Sequence, residues 1–523
     1  MSNRFSDPLF QLVHSLEKAE KRNFKLYIKR SSAKEDLKII RLFDALDKLS
    51  EYDEPLLLKK LEGIEKPQLS NLKTHLYKQL LASLRLLKSS DNLALQLHEQ
   101  LDYSRILYNK GLYLQSLKIL DRVKELAITY HQDTLLSQVI SMEKKIEILH
   151  ITRSMQDRAD RLTQEALDVN DRRRMITRLS NLALQLYSWY IKNGHARNEK
   201  DELGIKKFFK DNLPSHVFKQ TGFYEKLYLY QSYSMYAFIR QDFLMYYRYN
   251  QKWVDLFEEE PNMIAVEMSH YLKGYHNLLN AHFDLRNYEK FDEVLRKLER
   301  FSQTELAIEH DNFRIQTFVF INSAKINQHF MLGTFKEGLS LVQFIEQKLK
   351  EYALYLDRHR ILVFNYKIAT LYFGSGDYST CIDYLQKIIN DHVDLRSDLQ
   401  CYARLLHLMA HYELGNVEIM ESLIKSVYRF MARMENLTVI EEEMFKFLRH
   451  SFSVPSRKLK VELERFLDKI KHFEKSRFET RAFAYLDIIS WVESKVYAKP
   501  MSEIIKDKYI KNKRSLIYNK NVA

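Results

Sequence analysis

The chain has 523 residues, 82 Lys and Arg against 69 Asp and Glu, and a formal net charge of +13. Gly (11) and Pro (7) fall far below the roughly 7% and 5% of ordinary usage, which excludes sheets and long loops with their dense turn punctuation and leaves helix. Hydrophobic residues at 46% and a near-even charge balance exclude a disordered chain.

Residues 1–90 hold 18 Lys and Arg against 12 Asp and Glu, so the first segment is the basic one. The sequence there lacks a basic stretch followed by an apolar run, hence no secretory signal is expected. Breakers at Pro8, Pro55, Gly63 and Pro67 separate short helices, with apolar residues such as Leu37, Ile40, Leu42, Leu46 and Leu49 at helical spacing. Residues 55–79 read as helix, Gly turn, helix, with Gly63, Ile64, Leu69 and Leu72 at helix-turn-helix spacing, although Glu62 stands where an apolar residue is expected. In that reading Gln68, Ser70, Asn71, Lys73 and Thr74 face a major groove and Lys78 meets phosphate.

From residue 91 to 435 a unit recurs: two amphipathic helices around a short turn. Its turns fall at Asn109–Tyr113, Gln241–Phe243, Arg286–Tyr288, Leu332–Phe335, Gly376–Asp377 and Leu414–Val417, with Gly194 and a weak turn near Arg153 filling the longest gap. Three residues before the turn stand Tyr108, Phe238, Phe283, Phe330, Phe373 and Tyr412. Two residues after it stand Tyr113, Phe243, Tyr288, Phe335, Tyr378 and Val417. Eleven aromatics in twelve places, in a chain 13% aromatic, mark a repeat rather than composition. Gly376 can take positive φ and end one helix while Asp377 caps the next.

The copy at 363–389, with Ile368, Ala369, Tyr372, Gly376, Asp377, Tyr378, Leu385 and Lys387, resembles a tetratricopeptide repeat. Other copies depart from that pattern: Leu279, Ile326 and Leu408 replace a small residue in the first helix, and Tyr246, Phe291 and Met420 replace Ala in the second. The resemblance implies an all-α, right-handed helical solenoid whose first helices line a concave strip. In the repeat register that strip carries Lys273, His276 and Asn280, then Phe320, Ser323 and Asn327, then Val363, Tyr366 and Thr370. The family's Asn at the offset of Asn280 and Asn327 commonly holds a peptide backbone, so the resemblance implies these two as peptide contacts; an ordinary exposed Asn is the alternative.

Residues 436–511 read as further helices forming a C-terminal cap, and 512–523 as a basic tail. The two cysteines, Cys381 and Cys401, cannot build a disulfide framework or a four-ligand zinc site, which suits a reducing cytoplasm. The charge-free run at 227–239 is 13 residues and too short to span a membrane, which takes ~20. No phosphate loop, dinucleotide loop, HExxH or nucleophile-elbow motif is present, so neither catalysis nor a cofactor is expected. GSG at 374–376 is accounted for by its turn. His407 and His411 have metal-competent spacing, but His411 shares its turn offset with His282 and His329, which makes a packing position the simpler account and no metal the expectation. The eight Tyr in 224–249 read either as a stacking surface or as inter-helix packing. Together these features predict a non-catalytic scaffold that binds a peptide or partner protein; the alternative is a DNA-binding regulator acting through residues 1–90.

Overall fold

A computed structural model describes residues 7–30, 34–61, 64–88, 92–150, 157–215, 222–391, 397–434, 437–475, 478 and 487–522. Its described residues are helical and contain no strand, so the chain is all-α. Contacts divide it into two compact units, Met1–Arg173 and Arg174–Ala523. That division falls inside the segment that turn spacing assigns to the repeats, whose expected start was residue 91.

The first unit comprises α1 (Pro8–Ser15), α2 (Lys18–Lys29), α3 (Lys34–Asp47), α4 (Glu54–Lys60), α5 (Lys66–Lys88), α6 (Leu93–Asn109), α7 (Tyr113–Thr129), α8 (Asp133–Leu149) and the first part of α9 (Arg158–Asn193). Helix α5 packs on α1, α2 and α3 around Phe10, Phe24 and Phe43, all essentially without exposure. Asp7 and Asp53 cap α1 and α4, each accepting from a backbone N–H three residues on, with Pro in the first turn of both. Helices α6 to α9 gather around a second cluster that includes Leu101, Leu120, Val139 and Val169.

The second unit continues from α9 through α10 (Glu199–Asn212), α11 (Phe223–Ile239), α12 (Phe243–Glu259), α13 (Asn262–Val266), α14 (Met268–Asp284), α15 (Tyr288–Ser302), α16 (Glu305–Ile308) and α17 (Asp311–Leu332). There follow α18 (Phe335–Gly338), α19 (Val342–Glu351), α20 (Arg358–Ser375), α21 (Tyr378–Ile389), α22 (Ser397–Glu413), α23 (Val417–Arg433), α24 (Val439–Ser451), α25 (Ser456–Lys471), α26 (Ile488–Val496) and α27 (Met501–Val522). Pairs α11/α12, α14/α15, α20/α21 and α22/α23 are hairpins. Each second helix packs on the next first helix, and the first helices α14, α17, α20 and α22 touch in sequence.

Each turn expected at the six aromatic-flanked positions is present, and the backbone explains it. Gly111, Gln241, Arg286, Gly333, Gly376 and Gly415 all have φ between +54° and +90°. At Gly376 the turn N–H donates to Phe373 O (3.1 Å) and the next N–H, of Asp377, donates to Tyr372 O (3.0 Å). Gln241 and Asp242 repeat this bond pair with Phe238 and Ala237, and Arg286 and Asn287 with Phe283 and His282. The two bonds satisfy carbonyls that a helix end otherwise leaves open. Positive φ costs a side-chain-bearing residue about 1–2 kcal/mol; Gln241 is held there by its amide, which donates to Ala196 O (3.2 Å). The flanking rings meet across the turn: Tyr108 with Tyr113 at 5.5 Å, Phe330 with Phe335 at 6.1 Å, Phe373 with Tyr378 at 5.3 Å. As expected, Asp377 caps α21 by accepting from Thr380 N (3.0 Å).

Three features differ from expectation. A further turn of this kind lies at His131 (φ +53°), between α7 and α8, where neither Gly nor the trailing aromatic announces it. The turn expected near Arg153 lies outside the described residues. The C-terminal helices do more than close the last hairpin. Helix α24 packs on α23, but α26 reaches back to the α22/α23 turn, where Trp491 Nε1 donates to Glu413 (2.6 Å). Helix α27 then packs on α17 and α20 and sets Tyr509 against Tyr288 (4.5 Å). This segment therefore runs along the turn edge of the hairpins as a strap.

Helices α18 and α20 approach so closely that a Cβ on Gly374 would stand 2.3–2.5 Å from the Phe335 ring. Gly374→Ala is expected to lower unfolding free energy by about 1–3 kcal/mol through overpacking, with partial recovery in Gly374→Ala/Phe335→Leu. Urea denaturation checks this, and an unchanged midpoint for the single variant would contradict it.

Candidate binding groove

A groove of about 1110 Å³ opens within the second unit, and its walls combine apolar and polar surfaces. One wall is α9. Its residues Leu179, Leu182 and Leu186 are buried in the core, yet Leu184, Tyr187 and Ile191 face the groove with 65%, 56% and 49% exposure. One helix thus carries two apolar stripes, and only one is covered. The floor comes from α11, with Tyr228, Gln231 and Ser234, and from α14, with Lys273, His276, Asn277 and Asn280. Asp357, Arg358 and His359 at the start of α20 form the facing rim.

Of the concave-strip residues expected from the register, the structure brings Lys273, His276 and Asn280 to the groove. The Asn280 amide nitrogen lies 3.2 Å from His276 Nε2, which must therefore accept, leaving the imidazole neutral with its proton on Nδ1. The ring stacks on Phe320 at 4.4 Å. Burial, together with Lys273, Lys367 and Arg360, holds its pKa well below the usual histidine range, in agreement with that protonation state.

Ser323, Asn327 and Tyr366 are buried at 6–8% exposure, contrary to their expected place on an open strip. Helices α17 and α20 touch there, and the Lys367 ammonium donates across to Ser323 O (3.3 Å) and to Asn327 Oδ1. The amide expected to hold a peptide backbone instead holds a lysine of its own chain. Thr370, half-buried, donates to Tyr366 O (2.9 Å).

Lys273 and Lys367, the two lysines that act on His276, are themselves perturbed. Lys273 is open to solvent, and among the described residues it has no hydrogen-bond or ion-pair partner. Crowding by protein and then Arg360 push its pKa down to about 8. Burial alone pushes Lys367 down to about 7. Gln231 Nε2 and Trp253 Nε1, on two lining residues, are buried without an acceptor among the described residues. Arg360, in contrast, pairs with Asp357 (3.3 Å). The lining carries Lys192, Arg197, Lys273 and Arg358 against Asp357 and Asp398, an excess of positive charge.

Compared with protein-family models, with curated proteins and with solved structures, the chain matches none of them. Its chemistry is legible only from its own residues.

Elsewhere the expected sites are mostly engaged in structure. Most rings of the Tyr-rich stretch pack between helices, with Tyr233 on Tyr249 at 4.4 Å and Phe209 on Tyr236 at 4.1 Å. His329 Nδ1 meets Thr334 Oγ1 (2.8 Å) and His411 Nδ1 meets Asn416 Nδ2 (2.9 Å), so two of the three histidines at the turn offset tie it to the residue that follows. Among the described residues no group of three or more His, Cys, Asp or Glu is placed to hold a metal, and no helix is long and apolar enough to cross a membrane. On α5, Ser70, Asn71, Thr74 and Lys78 are exposed, and the exposed Gln68 accepts from Glu65 N (3.2 Å). Lys73, expected to face a major groove, instead has its ammonium held by Asp7 and by the Tyr52 hydroxyl (2.8 Å). Gly63, the turn of the helix-turn-helix reading, lies outside the described residues.

The depressed Lys367 makes stability depend on pH. Its folded pKa, about 7, lies below the unfolded 10.5, so the unfolded state binds more protons between those values. Its contribution is therefore unfavourable and flat below pH 7, and it becomes less unfavourable as pH rises across that window. Lys367→Met is expected to remove this rise, giving a stability relative to wild type that is greatest near pH 6 and declines toward about pH 10. Denaturant titrations of both proteins check it, and parallel curves would contradict it.

Proposed function

We propose that the chain is a non-catalytic, tetratricopeptide-like scaffold that holds a segment of a partner polypeptide in the groove of its second unit. Stacked hairpins with a common turn geometry support the solenoid reading, because such arrays place successive first helices side by side and leave their inner face for binding. The observation that carries the proposal is the second apolar stripe of α9, Leu184, Tyr187 and Ile191, exposed inside a groove rather than on an outer surface. Scattered exposed apolar residues need no explanation, but a stripe inside a concavity with convergent polar groups does.

Size favours a polypeptide over a small molecule. The groove, at about 1110 Å³, lies beyond the ~300–1,000 Å³ of typical ligand pockets. Covering Leu184 and Ile191 fully gains about 1.5–3 kcal/mol each. Association costs about 4–15 kcal/mol, so the stripe alone cannot retain a partner. Polar anchors on the floor must contribute, and Lys273 and Asn277 are placed to do so.

Site-specific photocrosslinking in the source cell tests this. Benzoylphenylalanine at position 184 should give discrete protein adducts, whereas the same residue at Ile419, comparably exposed on α23, should not. Ile191→Asp should abolish the adducts at 184. Equal adducts at both positions, or none at 184, would contradict the proposal.

A further inference from the structure

The groove's apolar wall and the lysine on its floor specify a particular kind of segment. Resting on the reading above, we propose that the segment is an acidic amphipathic α-helix, which lays its apolar stripe along Leu184, Tyr187 and Ile191 and directs a carboxylate to Lys273.

The helical conformation follows from spacing. Residues 184, 187 and 191 rise along α9 in steps of about 4.5 and 6 Å, since each residue adds ~1.5 Å. An extended chain presents same-face side chains every ~6.6 Å and drifts out of step with such a row within two residues. A second helix has the same three- and four-residue ridges and can interleave with them. The row is continuous and solvent-facing, so nothing in the described chain already occupies it.

The acidic character follows from what the floor lacks. Lys273 has no counter-ion among the described residues. An unpaired donor removed from water costs about 1–3 kcal/mol, more when charged, so covering this floor with an apolar or cationic segment would be penalised. A carboxylate supplies acceptors and a counter-charge together, in a charge-assisted hydrogen bond. Two carboxylates line the groove, Asp357 and Asp398; Asp357 is engaged by the Arg360 side chain and backbone N–H, and Asp398 is not free either. The charge pattern also discriminates: a Lys or Arg at the same place would meet Lys273 with Lys367 and Arg360 behind it.

Selection from a displayed random library of peptides of about 16 residues, long enough for a ~24 Å helix, on the immobilised full chain tests both properties. Enriched peptides should carry apolar residues at three- and four-residue spacing with an excess of Asp and Glu. A central Pro should weaken them at least ~10-fold, as should Lys273→Gln. Lys273→Glu should enrich Lys- and Arg-bearing peptides instead. Both lysine variants alter an exposed side chain, and an unchanged melting temperature verifies their fold. Enriched peptides that lose binding to Leu184→Asp but show neither acidity nor helical period would overturn the helix proposal and leave the groove reading standing. Enriched peptides indifferent to Leu184→Asp, or no enrichment, would overturn both.

Discussion

The architecture of the second unit depends on one backbone arrangement: a helix end closed by a residue at positive φ, with its own N–H and the next bonded to carbonyls three and five residues back. This arrangement fixes the direction in which the second helix leaves. Repeated at Gln241, Arg286, Gly376 and Gly415, with a near variant at Gly333, it gives successive hairpins the same phase. First helices then lie against first helices, and the inner positions of α14 meet those of α11 along one groove. The site is thus a consequence of turn geometry many residues away. The strap of C-terminal helices acts on the same edge: a Cβ on Gly333 would fall 2.4 Å from Ser502 O, so the turn must remain bare where α27 crosses it.

Much of this was readable in the residues because turn geometry leaves marks. Glycine at Gly111, Gly333, Gly376 and Gly415, and aromatics at fixed offsets even where Gln241 or Arg286 replaces glycine, identified the hairpins. The His131 turn left no such mark, since Asp133 follows it in place of an aromatic. The strip on α14 was legible because its register follows directly from the turn at Arg286. Asn327 holds the matching position on α17, yet whether that position stays open depends on the distance to α20, and a repeat register carries no information about that distance. Lys367 decides it by bridging to Asn327. The Leu184, Tyr187 and Ile191 row had a sequence signal in principle: α9 is apolar on two faces, and a helix edging a single core needs only one. The C-terminal strap was illegible, because its contacts at Gly333 and Tyr288 join residues well over a hundred positions apart.

Apolar and polar elements of the groove are both left uncovered by the described residues. The α9 row loses free energy by facing water, and the floor keeps a cation without a counter-charge in surroundings that disfavour charge. Neither feature contributes to the stability of the isolated chain. The proposed partner, apolar along one edge and anionic along another, would account for both. The neighbouring Lys367 is bound to internal carbonyl groups, whereas Lys273, on the groove's floor, is the cation to which the proposal assigns charge selectivity.

The most direct measurement is the reactivity of individual lysines toward a limiting amine-specific reagent, followed by mass spectrometry across a pH series. The account predicts that Lys273 labels readily, with a titration midpoint near 8. A Lys273 that is protected from the reagent, or whose labelling shows no midpoint near 8, would contradict an open groove holding an unpaired ammonium.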